Sequence, residues 1–236
     1  MQKTKIEWTD YSWNPIKGLC PVGCKLPDGK IYCYGRRIYK RFKFSPGIIM
    51  DKEELEKPLF IKNPSRIFVC STFELFHSET INVEFEDMGG QWVSWREGIF
   101  DVIEACPQHT FQILTKFPQN IDRPMPDNVW LGVSITEPKE MAPRIKNLYR
   151  ARAKLKFISF EPLLGDVGQF RFQGWLDGQA DWIIIGRLTG HGRVFDPKDY
   201  WIRSLLNHAK KFNTPIFLKN NLKEIWAGRL IQEMPE

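Results

Sequence analysis

Short runs of apolar, β-branched and aromatic residues recur along the chain, separated by polar loops. They are RIFVC (Arg66–Cys70), TFQIL (Thr110–Leu114), NVWLGVSI (Asn128–Ile135), KFISF (Lys156–Phe160), DWIIIG (Asp181–Gly186) and PIFLK (Pro215–Lys219). Each is short and apolar nearly throughout instead of alternating, the pattern of strands covered on both faces of a parallel sheet. Between them, Val93–Cys106 and Trp201–Phe212 carry apolar residues three or four apart, the spacing of a helix with one buried face. Strands alternating with helices imply right-handed β-α-β units. IEWTDYSWNP (Ile6–Pro15) adds a first strand and makes seven strand positions.

That count predicts an α/β fold, a partial or complete β/α barrel of the TIM type, in a single domain over residues 1–236. An open doubly wound sheet is the alternative. The barrel is favoured by where the polar residues sit. Ser71, Thr72 and Glu74 follow the second strand, Thr115 and Lys116 the third, Ser134 the fourth, Glu161 the fifth, Arg187 the sixth, and Lys219 and Asn220 the last. In β/α barrels these C-terminal strand ends form the active-site face. Any one of them alone is equally well read as loop polarity or a helix cap. The gap between the third and fourth strands leaves room for one helical turn. Asp122–Asn128, rich in proline, and Asp166–Gln179, rich in glycine and aromatics, read as loops.

Composition narrows the class. With 42% hydrophobic and 26% charged residues the chain is that of a folded protein. Its apolar runs fall far below the roughly 20 residues of a membrane span, and MQKTKIEWTD lacks a signal peptide's apolar stretch. A cytoplasmic protein without membrane association is expected. The formal charge of +6 permits a phosphate-bearing partner without requiring one. Five cysteines, an odd number, argue against a paired disulfide framework.

Three of them are clustered in GLCPVGCKLPDGKIYCYGRR, where Cys20, Cys24 and Cys33 have the spacing C-x3-C-x8-C directly after the first strand. A structural zinc site closes with four Cys or His ligands, and none of the four histidines, His77, His109, His191 and His208, is near in sequence. An iron–sulfur cubane held by three thiolates instead leaves one iron open to another ligand.

A three-cysteine loop after the first strand of a β/α barrel resembles the layout of radical S-adenosylmethionine enzymes. Their usual spacing is C-x3-C-x2-C, with an aromatic residue before the last cysteine. This chain keeps C-x3-C and has Tyr32 before Cys33, but carries about six more residues within KLPDGKIY. More closely, it resembles a phage-associated radical-SAM-like family of unknown function that opens with a WNP–glycine–cysteine signature. The matching blocks are Ile6–Gly18, Cys33–Tyr34, FELFH (Phe73–His77), HTFQILTKFP (His109–Pro118), NVWLGVSI, FISFEPLLG (Phe157–Gly165) and DWIIIG. After DWIIIG such relatives carry a second glycine and an acidic residue, where this chain reads RLTGHGR.

The resemblance implies that Cys20, Cys24 and Cys33 bind a [4Fe-4S] cluster whose fourth iron is chelated by S-adenosyl-L-methionine. It implies an electron donor such as flavodoxin or ferredoxin, and a 5′-deoxyadenosyl radical that abstracts hydrogen from a substrate. By strand order it points to Ser71, Thr72 and Glu74 for the methionine amino group, Lys116 for its carboxylate, and Ser134 and Glu161 for the ribose. Charge and phage-type kinship favour nucleic acid or a nucleotide as the substrate class. The competing reading is a nucleic-acid-binding or accessory protein without catalysis, its cysteine loop holding zinc that a distant histidine completes. A third, from RLTGHGR, is a barrel that kept its shape and lost catalysis.

Elsewhere the plainer readings lead. Cys70 and Cys106 read as small buried hydrophobes, and His77 and His109 as packing or capping residues ahead of acid–base groups. His191, with Arg193 nearby, suits either an anion contact or a surface turn. The basic stretches YGRRIYKRFKF (Tyr34–Phe44) and Arg144–Lys156 read as solvated helix faces, with phosphate binding as the functional alternative. Trp130, Trp182 and Trp226 read as structural, whereas Trp8 and Trp13 flank the first strand as walls for a cofactor.

Overall fold

Each of these apolar runs becomes a strand in the computed structural model, which describes residues 1–78, 83–86, 90–168 and 180–236. The chain forms two compact units, Met1–Thr115 and Lys116–Glu236.

The first unit holds β1 (Gln2–Lys3), β2 (Tyr11–Trp13), β3 (Ile16–Lys17), β4 (Ile49–Met50), β5 (Arg66–Val69), β6 (Glu84–Glu86), β7 (Trp92–Ser94) and β8 (Thr110–Thr115). Its helices are α1 (Tyr34–Phe42), α2 (Lys52–Glu56) and α3 (Trp95–Ala105). β2, β5 and β8 pair in parallel, with Trp13 opposite Val69 and Val69 opposite Ile113, and β1 adds antiparallel to β2. The first strand is shorter than Ile6–Pro15. The chain turns at Ile6–Thr9, and Trp8 packs 4.8 Å from Phe68. Trp8 and Trp13 are core residues, 2% and 0% exposed, and not walls of an open cavity; Trp13 donates from its indole to the Glu54 carbonyl at 2.8 Å. α3 begins two residues later than its apolar spacing suggests. Ser94 accepts from Glu97 N–H while Glu97 reaches back to Ser94 N–H, a capping box that sets the start and leaves Val93 to β7.

The second unit holds β9 (Val129–Ser134), β10 (Leu155–Phe160), β11 (Trp182–Ile185) and β12 (Ile216–Leu218), all parallel, with α4 (Met141–Arg150) and α5 (Asp199–Phe212). Pro118–Asn120 is the one 3-10 turn that the short gap allowed. Trp182 anchors the core against Trp130, Phe157 and Phe217. The sheet approaches closely at Gly132, where a Cβ would lie 2.4 Å from the Phe157 ring. α5 ends at Asn213, whose left-handed φ of 52° is one that asparagine tolerates well.

The fold is thus mixed α/β with largely parallel strands. Within each unit the parallel strands are ordered as they occur in the chain. Among the described residues no helix is long and apolar enough to cross a membrane. Most of the Asp166–Gln179 segment lies outside the described residues.

Candidate cysteine-loop site

The cysteine loop leaves β3 through Gly18, which only glycine can occupy. Its φ is 110°, and a Cβ there would lie 2.5 Å from the Gly47 carbonyl oxygen. Leu19 N–H then donates to the Pro46 carbonyl at 3.0 Å, fixing the loop's first limb.

The residues between Cys24 and Cys33 form a small closed hairpin. Lys25 and Ile31 bridge antiparallel, Leu26 N–H donates to Lys30 at 2.8 Å, and Tyr32 N–H donates to the Cys24 carbonyl at 3.0 Å. Its tip is a turn over Leu26–Gly29 with Pro27 at the second position, while Asp28 accepts from Lys30 N–H. The hairpin returns the chain to where it left, so Cys33 follows Tyr32 beside Cys24. The Pro-Asp-Gly turn is the signal in the sequence for this closure.

Cys33 stands at the N-terminus of α1. A hydrogen bond from the Cys24 thiol holds its pKa down to about 6; burial opposes this, and the backbone N–H groups of Arg36 and Gly35 and the Arg36 guanidinium assist. Cys20 goes the other way. Burial pushes its thiol up, N–H groups of Val22 and Glu74 pull it down, and the negative charges of Glu74 and Cys33 raise it again. Arg36 ties the loop to the helix, donating to the Cys20 carbonyl at 3.0 Å, and its Nε is buried without a partner among the described residues.

The loop after β5 closes on the same place. A Cβ on Gly35 would lie 3.5 Å from the Thr72 carbonyl oxygen and 3.8 Å from Cys33 Sγ. Asn14, of the WNP segment, gathers the candidates there. Its Oδ1 accepts from Ser71 Oγ at 3.1 Å, Thr72 N–H at 3.0 Å and Thr72 Oγ1 at 3.1 Å. Glu74 is 6% exposed, accepts from the Thr115 hydroxyl at 2.6 Å and Phe76 N–H at 3.2 Å, and acts electrostatically on Cys20 and Cys70. Cys70 lies one residue beyond β5 and not within it, with φ 51°; burial drives its thiol far up, as for an inert buried residue. His109 is also a packing residue, 1% exposed and edge-on to Phe111.

Ser71, Thr72 and Glu74 are therefore brought together with the three cysteines in the first unit. The other candidates belong to the second. Lys116 donates to Ser134 Oγ at 2.8 Å, and Arg144 donates to the Ser134 carbonyl at 2.6 Å while pairing with Glu140. Glu161 accepts from Lys219 at 2.6 Å and from Asn221 at 3.4 Å, and Gly186 gives its carboxylate room, since a Cβ there would lie 2.9 Å from Oε1. The amide at this site comes from Asn221 and not Asn220, which serves Gln232. Arg187 is bound on all sides, to Asp196 at 3.0 Å, to Glu224 and to the Asn221 carbonyl at 2.6 Å, so in RLTGHGR it is a tether between segments.

Among the described residues no group of three or more His, Cys, Asp and Glu side chains is gathered as if around a metal ion. The donor set fits an iron–sulfur group in its chemistry: three thiols, one of them ionised near neutrality, beside a buried guanidinium N–H. No curated protein and no solved structure matches the chain. A family model described as a protein of unknown function, DUF5131, matches residues 3–227, and the chain belongs to that family.

Proposed function

We propose that this chain is a radical S-adenosylmethionine enzyme that holds a [4Fe-4S] cluster through Cys20, Cys24 and Cys33 on a partial β/α barrel. One observation carries the reading. The closed hairpin removes the additional residues from the path between Cys24 and Cys33 and leaves their sulfurs hydrogen-bonded, so the longer interval does not hold the two thiols apart. The barrel reading rests on the alternation of parallel strands with helices in both units, whose described strands follow one another in chain order. All five cysteines are unbridged, as suits a reducing cytoplasm.

When bound, the cluster and S-adenosylmethionine supply a 5′-deoxyadenosyl radical for hydrogen abstraction, with nucleic acid or a nucleotide the favoured substrate class and a flavodoxin or ferredoxin the source of the electron. The chain's own residues prepare for this. Cys33 is a thiolate near neutral pH and Arg36 offsets the loop's negative charge. Asn14 fixes the Ser71 and Thr72 hydroxyls with their lone pairs available to an ammonium group, and Thr115 orients the Glu74 carboxylate for the same partner.

The test is anaerobic purification with iron and sulfide quantitation, and electron paramagnetic resonance of the reduced protein before and after adding S-adenosylmethionine. About four irons per chain and a spectrum that changes on addition are expected. Zinc without iron would sink the reading and leave the loop a structural clasp.

A further inference from the structure

No acidic residue occurs between Asp28 and Asp51, and Lys30, Arg36, Arg37, Lys40, Arg41 and Lys43 all fall in that interval. α1 buries Gly35 and half-buries Ile38 and Tyr39, which leaves Arg37, Lys40, Arg41 and Phe42 on its exposed side. Lys43 ends the helix in the left-handed region, at φ 53°, and this reversal sets Phe42 and Phe44 side by side. The two rings stack at 5.6 Å with planes 20° apart, although they are 57% and 54% exposed. Arg41 lies over the Phe42 ring at 5.4 Å. Tyr39 packs edge-on to Phe44 at 5.6 Å, and its hydroxyl accepts from Gly18 N–H at 2.6 Å, so the ring row is moored to the start of the cysteine loop.

We propose that this surface binds single-stranded nucleic acid, with bases stacking on the Phe42–Phe44 pair and phosphates meeting Lys40, Arg41 and Lys43. Rings presented among cations, with no acid in the segment, are the pairing that single strands use: every base has a face to stack, and every linkage carries a negative charge. A membrane surface needs a continuous apolar stripe to sink below the headgroups. α1 has no such stripe: Ile38 and Tyr39 are half-buried, and between the exposed Tyr34 and Phe42 its open side carries Arg37, Lys40 and Arg41. The inference does not depend on what the cysteines hold. A preparation with zinc, or with no metal, that still binds the oligonucleotide keeps this proposal and removes only the cluster reading.

The test uses the full chain and fluorescein-labelled oligo-U and oligo-dT of about 15 nucleotides, read by anisotropy across a salt series. Phe42→Ala/Phe44→Ala is expected to weaken binding about tenfold or more with the salt slope unchanged. Lys40→Ala/Lys43→Ala is expected to flatten the slope of log Kd against log salt by about 1.4, roughly 0.7 for each phosphate that is no longer neutralised. Lys210→Ala/Lys211→Ala, an equal loss of charge on α5, should change neither. Circular dichroism checks that each variant is folded. No binding at low salt overturns the proposal, as does an equal loss in the α5 pair, full affinity without the two rings, or sedimentation with phosphatidylserine vesicles in place of oligonucleotide binding.

Discussion

Beyond the ends of its strands, the first unit gathers hydroxyls, an amide and thiols, whereas the second gathers charges already matched to one another. Ser71 and Thr72 meet at the neutral Asn14 carbonyl, and the three cysteine sulfurs are half-buried groups that can be neutral or charged as the occasion requires. In the second unit Glu161 faces Lys219, Glu140 faces Arg144, and Arg187 joins Asp196 to Glu224. The difference follows from desolvation. A half-buried carboxylate or guanidinium cannot easily shed its charge and must be paired within the fold, while a thiol can wait in its protonated form for a ligand. Removing a polar group from the first unit should therefore cost ligand binding, and removing one from the second should cost stability.

The largest effect expected from this contrast is on metal content. Cys33→Ala should lower iron per chain more than tenfold with a small shift in the unfolding midpoint, whereas Cys70→Ala, at an inert buried thiol, should leave iron unchanged; the reverse result would break the contrast. Lys219→Met, which leaves Glu161 without its cation, should destabilise by about 2–3 kcal/mol in urea unfolding. That is below the figure for fully buried pairs, because Lys219 and Glu161 keep 14% and 24% side-chain exposure. Adding Glu161→Gln should restore roughly half of the loss, since the uncompensated charge goes with it.

Thr115→Val sharpens the comparison from the other side. It takes a hydroxyl from the buried Glu74 carboxylate and should cost about 2 kcal/mol, an exception in the first unit because the acceptor is charged. Ser94→Ala opens the capping box of α3 and should cost about 1 kcal/mol by thermal unfolding. The smallest effect is at Asp10. Burial raises its pKa, but the Arg66 N–H and guanidinium outweigh this and hold the carboxyl below its ordinary value. A depressed folded pKa adds stability above the unfolded value, and that stability fades as pH falls through the folded one. Asp10→Asn should thus remove only a few tenths of a kcal/mol near neutral pH, the pair being largely exposed, and nothing at the most acidic end.

The strands are legible in the chain because burial on both faces demands unbroken apolar runs, and RIFV, LKFISF and WIII have no other use. Helix starts are less so. Apolar spacing extends through Val93, yet the hydrogen bonds between Ser94 and Glu97 decide where α3 begins. The first strand reads longer than it is for a related reason: Trp8 is apolar and buried, but it sits in a turn and packs from the side on Phe68.

At the candidate site, residue type and spacing mark Cys20, Cys24 and Cys33, the strand-end hydroxyls and Glu74. They do not mark Asn14 as the acceptor that unites Ser71 with Thr72, nor Arg36 as the tie to the Cys20 carbonyl, because both depend on contacts between distant segments. They place the amide of the last strand end at Asn220, when the turn after β12 presents Asn221 to Glu161.

By itself, then, the sequence determined the alternation of strand and helix, the chemistry available in the cysteine loop, and the stretch of cations and rings that follows it. These are properties of composition and local spacing. Only the tertiary structure decided that the residues between Cys24 and Cys33 close into a hairpin, that Cys33 meets both a helix N-terminus and a second thiol, and that Arg187 is spent on Asp196 and Glu224. Each of those depends on which backbone and side-chain groups share a small space, and a hydrogen bond or a shifted pKa exists only once that space is formed.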